Sequence, residues 1–234
     1  MKEKEVIEAL RQVKEVFDNY NLEFWLDSGM LLGLVRSNQL ISWDNDIDLG
    51  MWRKDITKIE VGTLAYNEFQ SRGFDIYFLP DKLVLEKNNC PINVSLFFLK
   101  GDKAIREPYL LYGKNKFGKF LRSLWWLFSV SYYGNARKLK TIAVRTTQIL
   151  PKNLRKSIAT LFLRMSRHFA CSKIIWTVPS HFFTELSAIE FSGREFQAPA
   201  KIKDYLKFRY GPNWRIPNEK WDSLTQDGAI KRID

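Results

Sequence analysis

The sequence predicts an α+β fold with an α/β-like core, and three observations carry that prediction. Segments of helical and strand period alternate along the first hundred residues. Hydrophobic residues make up 45% of the 234-residue chain and include eight Trp and 17 Phe, enough apolar volume for a packed core. The charge is segregated: residues 100–175 hold 17 Lys/Arg against two acids, a balance of +15, whereas the rest carries −4 and the whole chain +11. This composition excludes a disordered tail.

Taken in order, residues 3–20 read as an amphipathic helix, with Val6, Ala9, Leu10, Val13, Val16, Phe17 and Tyr20 at helical spacing. Residues 23–27 are short, aromatic and strand-like. Gly29 opens a small turn, and 30–36 form a short helix before a loop ending at Trp43. Residues 46–52 alternate carboxylates with apolar residues, as a strand with one buried face does. Residues 54–71 return to helical spacing through Ile56, Ile59, Leu64 and Phe69, and Arg72-Gly73 ends the helix. Three strands follow at 74–79, 82–87 and 92–99. Residues 101–180 read as a basic, aromatic-rich helical insertion. About 14 helical residues around Trp125 span only about 21 Å, too short for a bilayer core. Pro151 separates two further basic helices. The second carries a stripe of Leu154, Ile158, Leu161, Phe162, Met165 and Phe169, with Arg155, Lys156, Arg164 and Arg167 off it. Residues 181–234 complete the first unit, with a short helix at 200–210. The organisation is therefore a core at 1–100, an insertion at 101–180 and a closing segment at 181–234.

Two cysteines, Cys90 and Cys171, make neither a disulfide framework nor a zinc site, and a reducing compartment is expected. They read as packing residues at a strand edge and a helix end. His168 and His181 read as structural. The opening MKEKEVIEAL lacks an apolar stretch, so no signal peptide is expected and the chain reads as cytoplasmic.

The densest polar cluster is Trp43-Asp44-Asn45-Asp46-Ile47-Asp48. On a strand, Asp46 and Asp48 point to one side. Two carboxylates held together repel unless a cation sits between them, and oxygen-rich pairs suit Mg²⁺. A bare Asp-x-Asp also occurs in solvated turns, so context decides. Upstream lies Ser28-Gly29-Met30-Leu31-Leu32-Gly33, a small-residue turn between strand and helix where backbone amides can meet a phosphate.

Together, Leu31-Leu32-Gly33, Arg36 and Trp43-Asp44-Asn45-Asp46-Ile47-Asp48 resemble the signature of the LicD/fukutin-related family. Tyr205-Leu206, Arg209-Tyr210-Gly211, Trp214 and Pro217 are similar to its closing motif. The resemblance implies a nucleotidyltransferase-like mixed sheet flanked by helices and a Mg²⁺-dependent phosphotransferase, with Mn²⁺ as an alternative ion. Such enzymes move phosphocholine or an alditol phosphate from a CDP-linked donor to a hydroxyl of a glycan or lipid-linked glycan acceptor, releasing CMP. Carried over, Asp46 and Asp48 would bind the metal and Asp44 would be a third acid. Gly29 and Gly33 would shape the phosphate turn, with Ser28 as a donor. Arg36 would either reach a phosphate or cap its helix, and Trp43 would pack under the metal strand. Tyr210, Gly211 and Trp214 read as a fold-closing turn. The family often has a further acid on a later strand. Ser95 stands in that place here, with Asn93 as the alternative register.

Three roles fit the basic segment 114–170: a solvated insertion, a platform on an anionic membrane surface, or a cradle for a phosphate-bearing glycan. The platform would put Trp125, Trp126 and Phe128 at the headgroups and the enzyme at the inner face of the cell membrane. A nucleic-acid partner is disfavoured, because the basic residues fall on helices rather than on a sheet with exposed aromatics. The rival functions are a metal-dependent glycosyltransferase using Asp46-Ile47-Asp48, and a binding protein with a degenerate site.

Overall fold

The structure is a computed structural model that describes residues 3–112, 115–134 and 139–233. Helix α1 (Glu3–Asn19) buries Val6, Ala9, Leu10, Val13, Val16 and Phe17, the face its periodicity predicts. Strand β1 (Phe24–Leu26) leads into α2 (Ser28–Ser37), and β2 (Ile47–Trp52) returns antiparallel to β1. Gly29 does not form a separate turn; it lies in the first turn of α2. The single helix expected at 54–71 is instead a 3₁₀ turn (Arg53–Ile59) followed by α3 (Leu64–Ser71). Gly62 breaks it at φ 90°, and the Thr63 side chain caps α3 by accepting from the Tyr66 amide at 3.2 Å. Strands β3 (Asp75–Phe78), β4 (Lys82–Lys87) and β5 (Cys90–Lys100) follow as read.

Strand β5 is the hub of the main sheet. It pairs antiparallel with β4 and with β6 (Lys103–Tyr112), and in parallel with β2. The chain then leaves the sheet through α4 (Lys116–Ser129), touches its edge with β7 (Ser131–Tyr133) against β3, and continues through α5 (Leu139–Thr147) and α6 (Lys152–Ser166). It re-enters as β8 (Ala170–Pro179), antiparallel to β6. The region read as a helical insertion is thus helical in its middle, while both flanks are sheet strands. Cys171 lies on β8 rather than at a helix end, and its side chain is outside the described residues. Cys90 is buried at the start of β5.

A one-turn helix α7 (His181–Thr184), the hairpin β9 (Leu186–Phe191) and β10 (Arg194–Pro199), helix α8 (Ile202–Tyr210) and β11 (Ile230–Ile233), which pairs with β8, close the chain.

The core gathers on β1, β2 and β5. Trp25 is fully buried, stacks on Phe183 at 4.6 Å and meets Trp52 edge-on at 5.3 Å. Its indole lies flat against β2 because position 50 has no side chain. A Cβ on Gly50 would collide with the ring. Gly50→Ala is therefore expected to cost about 3 kcal/mol by overpacking, read as a Tm lower by roughly 6–12 °C. An unchanged Tm would refute this packing.

The stripe expected on α6 faces inward only in part: Ile158 and Phe162 are half-buried, with Phe162 packed on Phe128 of α4. Leu154, Leu161 and Met165 are exposed, while Arg155, expected on the outer face, is buried. The reason is local: Arg155 donates to the Val130 carbonyl at 3.4 Å and to Ser131 Oγ at 2.8 Å. Helix α4 leaves Phe117 and Phe120 exposed, whereas Trp126 packs on a small cluster of Val130, Tyr132 and Val144. Among the described residues, no helix is long and apolar enough to cross a membrane.

Candidate active site

The site assembles where the start of α2 meets the entrance of β2. Asp27 is buried at the N-cap of α2, and its carboxylate accepts from the Ser28 amide at 2.7 Å. Its own amide donates to the Asp48 carbonyl at 3.1 Å, locking the helix start to the acid-bearing strand. The Gly29 amide then faces the Asp48 carboxylate at 3.4 Å. The positive end of α2 is thereby aimed at the acids.

Asp44, Asp46 and Asp48 each offer an oxygen within 4.8 Å of the others. Burial, then the neighbouring Asp46 carboxylate, pushes Asp44 up to about 7. Burial, then the charges of Asp46, Asp27 and Asp44, pushes Asp48 up to about 7. A cluster of hard oxygens this unfavourable without a cation fits Mg²⁺ or Mn²⁺. Gly29 is required for this convergence, since a Cβ there would collide with the Asp44 carboxylate.

The sign of the linkage is testable. A carboxyl raised in the folded state adds stability that is complete below its unfolded pKa of about 4 and is lost as pH rises through about 7. A divalent cation replaces those protons. Mg²⁺ or Mn²⁺ is therefore expected to raise Tm little at pH 5 and progressively more toward pH 8. Thermal unfolding with and without the ion checks this, and a pH-independent shift would contradict it.

Asn93, not Ser95, stands beside the acids. In the parallel β2–β5 register Asp48 lies opposite Asn93, and Ser95 lies opposite Gly50. The Asn93 amide donates to Asp46 and accepts from Lys82 Nζ at 3.1 Å. Ser95 serves a different partner: its hydroxyl accepts from Arg106 Nη1 at 2.9 Å. Arg106 stacks over Trp176, 3.8 Å from the ring centroid.

Arg209 closes the site from the C-terminal side. Its guanidinium donates to Asp227 through Nε at 2.7 Å and Nη2 at 2.6 Å, to Asp27 at 3.2 Å and to Ser28 Oγ at 3.2 Å. Tyr205 completes the buried knot by donating to Asp27 and accepting from Arg209. Burial opposes the Arg209 charge, but Tyr205, Asp227 and Asp27 outweigh it and hold the group well above its usual range. Ser28, in the left-handed region at φ 45°, is pinned by this knot against a backbone cost of about 1–2 kcal/mol.

Asp44, Asp46, Asp48, Lys82, Asn93, Arg106 and Arg209 line one cavity of about 670 Å³. Of the residues read from sequence, Ser28, Gly29, Arg36, Asp44, Asp46 and Asp48 face it. Gly33 does not line it; a Cβ there would sit 2.6 Å from the Gln39 carbonyl, so this glycine lets the following loop pack. Trp43 is 40% exposed at the cavity mouth with Arg36 5.8 Å from its ring, rather than under the strand. Tyr210 and Trp214, read as a closing turn, also line the cavity. Neither His168 nor His181 does. Lys82, Arg106, Trp176 and Asp227 escaped the sequence reading, because no local pattern links them to the acids.

Comparison with known proteins agrees with this geometry. Residues 21–99 match the family model described as LicD/FKTN/FKRP, nucleotidyltransferase domain. The chain is 36% identical over 228 residues to ribitol 5-phosphate transferase FKRP of Homo sapiens, covering 94% of this chain and 35% of that protein. It is 36% identical over 225 residues to the Mus musculus protein of the same name, covering 93% and 34%. An uncharacterized Rickettsia typhi protein is 32% identical over 110 residues, 47% of this chain and 34% of that one. The chain spans about a third of the length of these curated relatives. Motif, site and matches together show a LicD/FKTN/FKRP nucleotidyltransferase domain at residues 21–99.

Proposed function

We propose that this protein is a phosphotransferase that moves an alditol phosphate or phosphocholine from a CDP-linked donor to a glycan hydroxyl, with release of CMP. The observation that carries the reading is the convergence of Asp44, Asp46 and Asp48 under the amide end of α2, at the wall of a large cavity. The name of the FKRP relatives favours an alditol phosphate within this class.

The acceptor oxygen attacks the phosphorus nearer the alcohol, and the bond from that phosphorus to the CMP oxygen breaks. Asp46 and Asp48 would hold a divalent ion, which would supply charge neutralisation on the diphosphate. The chain does the rest by positioning, as phosphoryl transfer requires. Gly29 presents its amide, and Arg36 and Lys82 add positive charge to the cavity wall. Asp44 takes the acceptor proton, a role open to it because Asn93 offers no carboxylate. The test is CMP release from CDP-ribitol, CDP-glycerol and CDP-choline with Mg²⁺ and a glycan acceptor. No release from any of them would overturn the proposal.

The helical insertion supports a location at an anionic membrane surface. Its exposed Phe117, Phe120, Leu161 and Met165 lie in the segment that carries the +15 balance. Flotation with anionic vesicles is expected to carry the protein up at low salt, and serine at these four positions is expected to release it. Equal flotation of both proteins, or none of the wild type, would exclude the platform.

A further inference from the structure

Arg106 is the cation of this cavity that the acids do not explain. It lies on β6 with only 18% of its side chain exposed, and its Nε has no hydrogen-bond partner among the described residues. The Asp81 carboxylate stands 3.6 Å from Nε, close enough to attract but too far to accept a hydrogen bond. Nε is shut away from solvent, but the guanidinium as a whole lines the cavity, where it can meet an anion. The flat face of the guanidinium is fixed on Trp176, so the group is already oriented. Burial lowers the Arg106 pKa, a cost that an incoming anion would repay.

The strand beneath sets the spacing. Asn93, which holds Asp46, and Ser95, which holds Arg106, are two residues apart on one face of β5, about 7 Å along the strand. Ser95 also explains itself here: a carboxylate at this position would pair with Arg106 and cancel its charge, whereas a hydroxyl orients the guanidinium and leaves it charged.

We infer that Arg106, held in place by Ser95 and Trp176, is a phosphate-binding group of this cavity and grips one phosphate of a diphosphate. The inference rests on the transferase reading only in naming the donor as the source of that diphosphate.

Calorimetric titration of the full chain with inorganic pyrophosphate in the presence of Mn²⁺ tests it. Arg106→Gln and Ser95→Asp are each expected to weaken pyrophosphate at least about tenfold, the loss of one charge-assisted contact. Ser95→Ala is expected to stay within about threefold, and Mn²⁺ affinity, followed by its spin resonance, is expected to hold in Arg106→Gln. The proposal is overturned if the wild type binds no pyrophosphate, or if Arg106→Gln binds it as tightly as wild type. If Arg106→Gln does not fold, Ser95→Asp decides alone: weakened binding supports the proposal and unchanged or tighter binding overturns it. CMP release is measured in parallel. Its absence alongside Arg106-dependent pyrophosphate binding would remove the donor assignment and keep the anion site, and the opposite pattern would remove only the Arg106 role.

Discussion

Replacing Asp46 and Asp48 together by alanine is expected to lower CMP release at least about 1000-fold, a barrier increase of about 4 kcal/mol, without lowering the Tm of the cation-free protein at pH 8. The two halves of that expectation come from one geometry. On the proposed reading the acids would hold the ion that neutralises the diphosphate, so their loss would remove transition-state stabilisation rather than fold stabilisation. In the cation-free chain Asp48 is held up to about 7 by burial and by Asp46, Asp27 and Asp44, so its ionised form opposes folding at pH 8. Removing it relieves that opposition, the trade between function and stability common to built sites. Activity, Mn²⁺ binding and thermal unfolding should be measured on the same preparation. A variant that keeps a tenth of the wild-type rate would end the assignment. A large loss of Tm would make the acids structural instead.

The largest stability effect is expected at Arg209. Arg209→Met should cost about 3–5 kcal/mol, because it leaves Asp27 and Asp227 as buried carboxylates without their shared partner. The side chains of Arg209, Asp27 and Asp227 are 6%, 2% and 0% exposed, so solvent screens this pair little. The expected Tm loss is roughly 6–20 °C. Arg209→Lys should recover little of it, since an ammonium cannot span Asp227 through two nitrogens while also reaching Asp27. A loss below about 3 °C in Arg209→Met would show that the knot is dispensable.

What the sequence reveals, and what it hides, follows from the range of each interaction. The acids were legible because a strand's period of two puts Asp46 and Asp48 on one side, and Ser28-Gly29 before a helix is a local signal. Helix α1 and the strands at Asp75–Phe78 and Lys82–Lys87 were legible for the same reason. The choice between Asn93 and Ser95 was not. Both lie on one face of β5, and only the register with β2 decides which meets the acids. The α6 stripe misled because apolar periodicity names a face but not its neighbour. Here the neighbour offers Ser131 Oγ and the Val130 carbonyl, which select Arg155. The strand containing Lys103 and Arg106 gave no apolar alternation to read. Arg209 was visible as part of a motif, but its partners Asp27 and Asp227 lie far away in sequence.

That distance has a meaning for biosynthesis. Arg209 and Asp27 are 182 positions apart. At ordinary elongation rates the ribosome needs roughly 10–35 s to travel from one to the other. Throughout that interval Ser28 lacks the contact that pins it, and the acids, already translated, face no finished cavity. On the proposed reading, donor binding would therefore wait until α8 and the Asp227 turn have emerged, which ties the finished cavity to their synthesis.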